Sequence, residues 1–220
     1  MRLRKLSTLF GILAFLATFA FSTSAFAKKF MIGVKGGGNM ANFVGKDAGT
    51  PDQFSGVSKK PLLGFNGGLQ AAINLGMLGI QVEGLYSVKG QKYTSNNSDA
   101  SVVTRLNYFE IPVLARFNIS IPGVPLTPKL VAGPGVSFFM GGKTKMEGGS
   151  LNGETNIKKD SITSPDIGIV AGGGLDIGMG PGALTIDVRY ERGFSKIFDD
   201  TDAKVFNSRV TGQLGYAIGF

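Results

Sequence analysis

The sequence has no cysteine, no histidine and no tryptophan. Without cysteine there are no disulfides, thiolate metal sites or cysteine nucleophiles. Without histidine the commonest general base and metal ligand is missing, which excludes Ser-His-Asp triads and His-ligated zinc. Long apolar stretches are scarce too. After the N-terminal segment no run of about 18 consecutive apolar residues occurs, so no further helical span is expected. Helical periodicity is equally rare. Glycine is abundant instead, 34 of 220 residues, more than twice its usual share of about 7%. There is no collagen-type period, and a hydrophobic fraction of 43% is too high for a disordered chain.

Residues 1–27 read as a secretory signal peptide. Arg2, Arg4 and Lys5 form a cationic start, Leu9 to Phe21 an apolar run, and Ala25-Phe26-Ala27 an A-x-A cleavage site. The mature domain is expected to span residues 28–220, in an exported protein.

What fills that domain is alternation at period two. Eight segments carry it: Phe30–Phe43, Leu62–Leu75, Leu78–Lys92, Val102–Ile119, Leu126–Met140, Asp166–Ile177, Ala183–Arg192 and Lys204–Phe220. In the third, Leu78, Ile80, Val82, Tyr86 and Val88 oppose Gln81, Glu83, Ser87, Lys89 and Gln91. Short Gly/Pro turns (Gly76-Met77, Ser120–Pro125, Gly178–Gly182) alternate with long polar connections (Val44–Pro61, Tyr93–Ser101, Gly141–Pro165, Gly193–Ala203). The pattern predicts an all-β, eight-stranded, antiparallel up-and-down transmembrane β-barrel, with short periplasmic turns and long extracellular loops.

Charge placement supports a membrane barrel over a soluble one. Parity assigns Lys35, Lys89, Arg116, Lys129, Arg189 and Arg209, with Glu83, Glu110, Asp166, Asp176, Asp187 and Glu191, to the polar face. The signs balance, as a narrow lumen filled by ion pairs requires. Lys92, Arg105, Arg192 and Lys204 have apolar-face parity, but only at the outer rim. A soluble barrel would point its charges at water and its apolar side chains inward. Phe30, Phe117 and Phe220 at the short-turn ends, and Phe65, Phe109, Phe138, Tyr190 and Phe206 toward the loop ends, fit two aromatic girdles.

The chain ends Gln213-Leu214-Gly215-Tyr216-Ala217-Ile218-Gly219-Phe220. This resembles the C-terminal assembly signal of outer-membrane barrels, carried here by Gln213, Gly215, Ile218 and Phe220. Together with Ile32–Asn39, Val82–Gly90 and Leu106–Leu114, it makes the chain similar to the PorT-type outer-membrane β-barrel family. The resemblance implies an eight-stranded barrel in the bacterial outer membrane, handled by the outer-membrane assembly machinery through its last strand. The family's named link to protein secretion is not carried over.

Other motifs have plainer readings. Gly36-Gly37-Gly38-Asn39-Met40-Ala41 fits a dinucleotide fingerprint but lacks the following helix. Glycines there, and at Gly172-Gly173-Gly174, more simply make room on the inner wall. Gly142-Lys143-Thr144 ends like a phosphate-binding loop, but Ser137 stands where its first glycine is required. Glu83 and Glu110 could form a hydrolytic carboxylate pair; Lys89 and Arg116 nearby favour salt bridges. Asp199, Asp200 and Asp202 could meet a cation, yet lack EF-hand spacing. Lys59, Lys60, Lys143, Lys145, Lys158 and Lys159 are loop cations suited to the phosphates of lipopolysaccharide. No basic face interleaved with aromatics points to nucleic acid. The expectation is an outer-membrane barrel with a structural, adhesion or surface-interaction role and a filled lumen. It would not be an enzyme, would bind no cofactor or metal, and its surface partner is unspecified. The alternatives are an outer-membrane lipid-modifying enzyme and a soluble periplasmic ligand-binding barrel.

Overall fold

The computed structural model describes residues 29–48, 56–97, 99–148, 152–198 and 203–220. The signal peptide and Asp199, Asp200 and Asp202 lie outside them. Among the described residues nine strands follow one another: β1 (Phe30–Val44), β2 (Val57–Leu75), β3 (Leu78–Ser95), β4 (Ser101–Asn118), β5 (Leu126–Glu147), β6 (Gly153–Ile157), β7 (Asp166–Met179), β8 (Gly182–Gly193) and β9 (Phe206–Gly219). Eight of them, all but β6, form a closed antiparallel ring. The sheet runs β4-β3-β2-β1-β9-β8-β7-β5, and a β4–β5 pairing closes it. Closure is what hydrocarbon demands, because an open edge would leave unpaired N–H and C=O groups. The β1–β9 seam continues to the last residue: Phe220 N donates to Phe30 O at 2.8 Å.

The periplasmic turns are tight. Between β2 and β3 only Gly76 and Met77 intervene, and Gly76 has φ +76°, a left-handed conformation that glycine adopts without a Cβ penalty. On the inner wall, a Cβ at Gly37 would collide with the backbone of Gly212 and Gln213, and one at Gly174 with the Asp187 carboxylate. These glycines leave space for neighbouring strands and for charged side chains.

The opposite end departs from the expected loops. A membrane strand needs about 9–11 residues, whereas β2 to β5 have 19, 18, 18 and 22. The surplus lies outward. Segments read as loop at 57–61, 93–95 and 141–147 are strand, and the β3–β4 connection shrinks to residues 96–100. The ninth strand, β6, pairs with the outer part of β5, from Gly142↔Ile157 to Met146↔Gly153. Parity could not show this, because the added strand is polar on both faces.

The faces are inverted relative to a soluble protein. Ile80, Val82, Leu69, Val188 and Leu214 are exposed, while Gln81, Glu83, Lys89, Lys129 and Asp187 are among the most buried side chains. This overturns the soluble periplasmic alternative. The lumen is less uniformly polar than expected, however. Leu114, Val131 and Val170 pack together inside, as do Met31, Ala72, Ala183 and Ala217.

Candidate functional site

Two regions collect the chemistry: the lumen and the outer rim. In the lumen, eleven of the twelve parity-assigned charges are buried, and the Glu191 side chain is 13% exposed. They divide into two clusters. In the first, Asp176 accepts from Arg116 and Lys129, each at 2.5 Å. Lys129 also lies 3.1 Å from Asp187. Asp187 is shared with Lys35 at 2.8 Å and Arg189 at 3.1 Å. Glu83 takes Lys35 at 2.7 Å and Arg189 at 2.8 Å. Gln81 joins the ends, accepting from Arg116 at 2.9 Å and donating to Glu83.

The second cluster lies closer to the outside. Lys89 pairs with Glu110 at 2.8 Å and Glu191 at 2.5 Å. Arg209 pairs with the same two carboxylates, at 2.6 Å in the case of Glu191. Glu191 thus completes a ring of two cations and two anions. Asp166 stands apart and accepts from Asn207 Nδ2 at 2.8 Å. Such multiple pairing is what makes buried charge tolerable, since each ion lost from water needs several replacement contacts. Glu83 and Glu110 belong to different clusters, each held by its own two cations, so they do not form a hydrolytic pair.

An apolar lid closes the outer mouth. Phe43, Leu106, Tyr108 and Phe139 point inward above the second cluster and pack with Ala48, Ile162, Ile197 and Val205 from the connections. The connections are fastened by Thr163 N to Ile197 O at 2.9 Å and Ile197 N to Val205 O at 2.8 Å. Lys59 turns inward and donates to the carbonyls of Phe43 and Ala48. Lys89 sits 5.1 Å from the centre of the Tyr108 ring, joining the ion cluster to the lid. The sequence analysis did not assign this lid, because its residues are scattered over six chain segments.

The C-terminal residues split by face. Gln213 points inward and donates to Asn66 at 2.7 Å. A Cβ at Gly215 would press on Lys35 and Thr185. Ile218 and Phe220 are exposed on the outer surface. The nucleotide-like segments are both strand: Gly36–Ala41 lies within β1, and Gly142–Thr144 is paired on both sides, with β4 and β6. Among the described residues no group of three Asp or Glu is arranged to hold a metal ion.

The outer rim has its own chemistry. Lys143 pairs with Glu154 and Lys145 with Glu147, both at 2.5 Å and largely exposed. The hydrogen bond from Lys145 holds the Glu147 carboxyl below its usual pKa, and Lys143 does the same for Glu154. Below them an aromatic row crosses four strands. The Phe65 and Tyr86 rings lie 5.8 Å apart, and Tyr86 is in register with Phe109, which is in register with Phe138.

No curated protein matches the chain. Among solved structures it is similar to the attachment invasion locus protein Ail of Yersinia pestis, crystallised with the heparin analogue sucrose octasulfate (16% identity, TM-score 0.44, covering 86% of this chain and 99% of Ail). It is also similar to Neisserial surface protein A (13%, 0.45, 87% and 97%) and to OprG from Pseudomonas aeruginosa (8%, 0.48, 88% and 97%). The family described as outer membrane protein beta-barrel domain matches residues 19–199. The closed ring with its apolar exterior is a barrel of the kind that description names, and the chain belongs to this family of bacterial outer-membrane β-barrel proteins.

Proposed function

We propose that the protein is a surface-interaction element of the outer membrane, with an adhesive or structural role, and is neither a pore nor an enzyme. The observation that carries this reading is the raised sheet. The strands β2 to β5 run outward past the aromatic row and gain β6, while the lumen beneath is blocked by ion pairs and the lid. Folded backbone is therefore spent on a platform outside the membrane and not on a channel. Residues 1–27 act as a cleaved signal peptide in this reading. The C-terminal strand delivers the chain to the assembly machinery, the lumen charges serve structure, and the PorT-type affiliation rests on the quoted motifs.

The test replaces residues 142–157 with a short Gly-Ser connection and compares adherence of cells displaying the two forms. The trimmed barrel should keep heat-modifiable gel mobility and lose adherence. Equal adherence would overturn the surface role. Lipid hydrolysis by the purified barrel would instead support the enzymatic alternative.

A further inference from the structure

Two β-bulges turn lysines onto the outward face. In β5, Tyr108 pairs with Phe139 but Asn107 pairs with Gly141, so Met140 is an extra residue. Beyond it the parity of β5 is reversed, and Lys143 and Lys145, which strict alternation would point to the lumen side, face outward. In β2 the register to β3 shifts between Pro61 and Asn66. Beyond that shift Lys60 lies opposite Lys92, which keeps the outward parity of β3. The bulges thus bring cations from β2 and β5 to the side already occupied by Lys92 and Arg105.

The outcome is costly for the isolated protein. Arg105 is directly opposite Lys143, and Lys60 directly opposite Lys92; facing like charges destabilise a sheet. Lys60, Lys92 and Arg105 have no carboxylate at salt-bridge distance among the described residues, and the partners of Lys143 and Lys145 are exposed. Exposed pairs of that kind are weak and exchange easily. Arg105, Lys92, Lys143 and Lys145 line a cavity of about 420 Å³. Its lining also includes Glu147, Glu154 and Leu63, so cations outnumber anions four to two. Leu63 is 73% exposed and continues the apolar, lipid-facing surface of Phe65 and Met140. Arg105 lies four residues outward of Phe109, some ~10 Å along the membrane normal for a tilted strand. That is headgroup height.

We propose that this lateral cavity binds the phosphorylated headgroup of an outer-leaflet glycolipid, with Arg105, Lys92 and Lys143 on its phosphates and its acyl chains against Leu63 and Phe65. A phosphate offers several acceptor oxygens to such a group of donors, and it removes the repulsion that the bulges create. The glycolipid is favoured over a soluble anion because the cavity is continuous with the lipid-facing wall. The inference rests on the membrane placement of the barrel and not on the surface role proposed above.

The test is retention of lipid by the folded barrel in detergent, read by native mass spectrometry. Three probes are added separately: bis-phosphorylated lipid A, the same lipid dephosphorylated, and phosphatidylglycerol. Only the first should survive dilution. R105Q/K143Q, and independently K92Q/K145Q, should lower its retention at least about tenfold, the loss of one or two charge-assisted contacts. K158Q/K159Q removes the same charge at the start of the 3-10 turn Lys159–Ser161, which Lys158 precedes, and should change nothing. E154Q, which frees Lys143 from a competitor, should raise retention. Heat-modifiable mobility establishes that each variant is folded. Equal retention of dephosphorylated lipid or phosphatidylglycerol, or unchanged retention in both double variants, would overturn the proposal. Adherence is read separately, so failure here leaves the surface role standing.

Discussion

Arg189 on β8 reaches across the lumen to Glu83 on β3, its Nη1 lying 2.8 Å from the carboxylate. Three strands (β2, β1 and β9) separate them around the ring, so this contact ties opposite walls together. Glu83 also holds Lys35, and removing it leaves two buried cations short of a partner. Glu83→Ala should cost about 3–5 kcal/mol, the usual penalty for breaking a buried ion pair from one side. Glu83→Gln keeps an acceptor and should cost less. Urea unfolding of the barrel in lipid vesicles reads both; equal stability of Glu83→Ala and wild type would show that the cluster contributes nothing.

Val82 precedes Glu83 and faces the other way. It is 41% exposed, against 1% for Glu83. Val82→Arg puts a charge into hydrocarbon and should cost about 2–4 kcal/mol if it sits near the bilayer midplane. Single cysteines at positions 80, 82 and 84, then 81, 83 and 85, carrying a fluorophore, would map the faces. A lipid-phase quencher should reach only the even set.

The ion clusters and the lid predict a closed lumen. Planar-bilayer recordings should show no steady conductance. A stable open channel would mean that the lid and the charge clusters do not persist in the membrane.

Phe220 closes the β1–β9 seam through both its N–H and its carbonyl, which Phe30 N approaches at 3.4 Å. Deleting it removes the last pairing of the ring and the terminal aromatic of the assembly pattern. Slower insertion and a larger unfolded periplasmic pool are expected in pulse-chase fractionation. Unchanged kinetics would mean that the terminal residue is dispensable.

Deleting Met140 should abolish the β5 bulge. The strand would then alternate regularly from Phe139 to Gly141, with Lys143 still opposite Arg105 and facing outward, so lipid A retention should stay at the wild-type level; a fall like that of R105Q/K143Q would show that the register beyond the bulge had slipped. Amine labelling from the outside gives a second reading, since the two lysines should keep their reactivity.

Much of this architecture is written in the chain. Because side chains in a strand point alternately to two sides, parity alone placed Val82 outside and Glu83 inside, and balanced signs foretold a lumen closed by pairing. Strand ends toward the periplasm were also legible, since Gly76 and the Pro122–Pro125 turn interrupt the pattern sharply. What parity cannot register is an inserted residue. One extra residue in β5 and a register shift in β2 reverse the faces of Lys60, Lys143 and Lys145, and a bulge shows only when the partner strand is present. The same holds for the lid, where Phe43, Tyr108, Phe139 and Ile197 meet across the mouth from distant segments, and for the choice of partners within the ion clusters. The sequence by itself determined a two-faced, eight-stranded wall with lipid outside and charge inside, because that depends on local alternation. Only the tertiary structure decided which charges meet, how the mouth closes and where the outer cations face, because those depend on register between strands far apart in the chain.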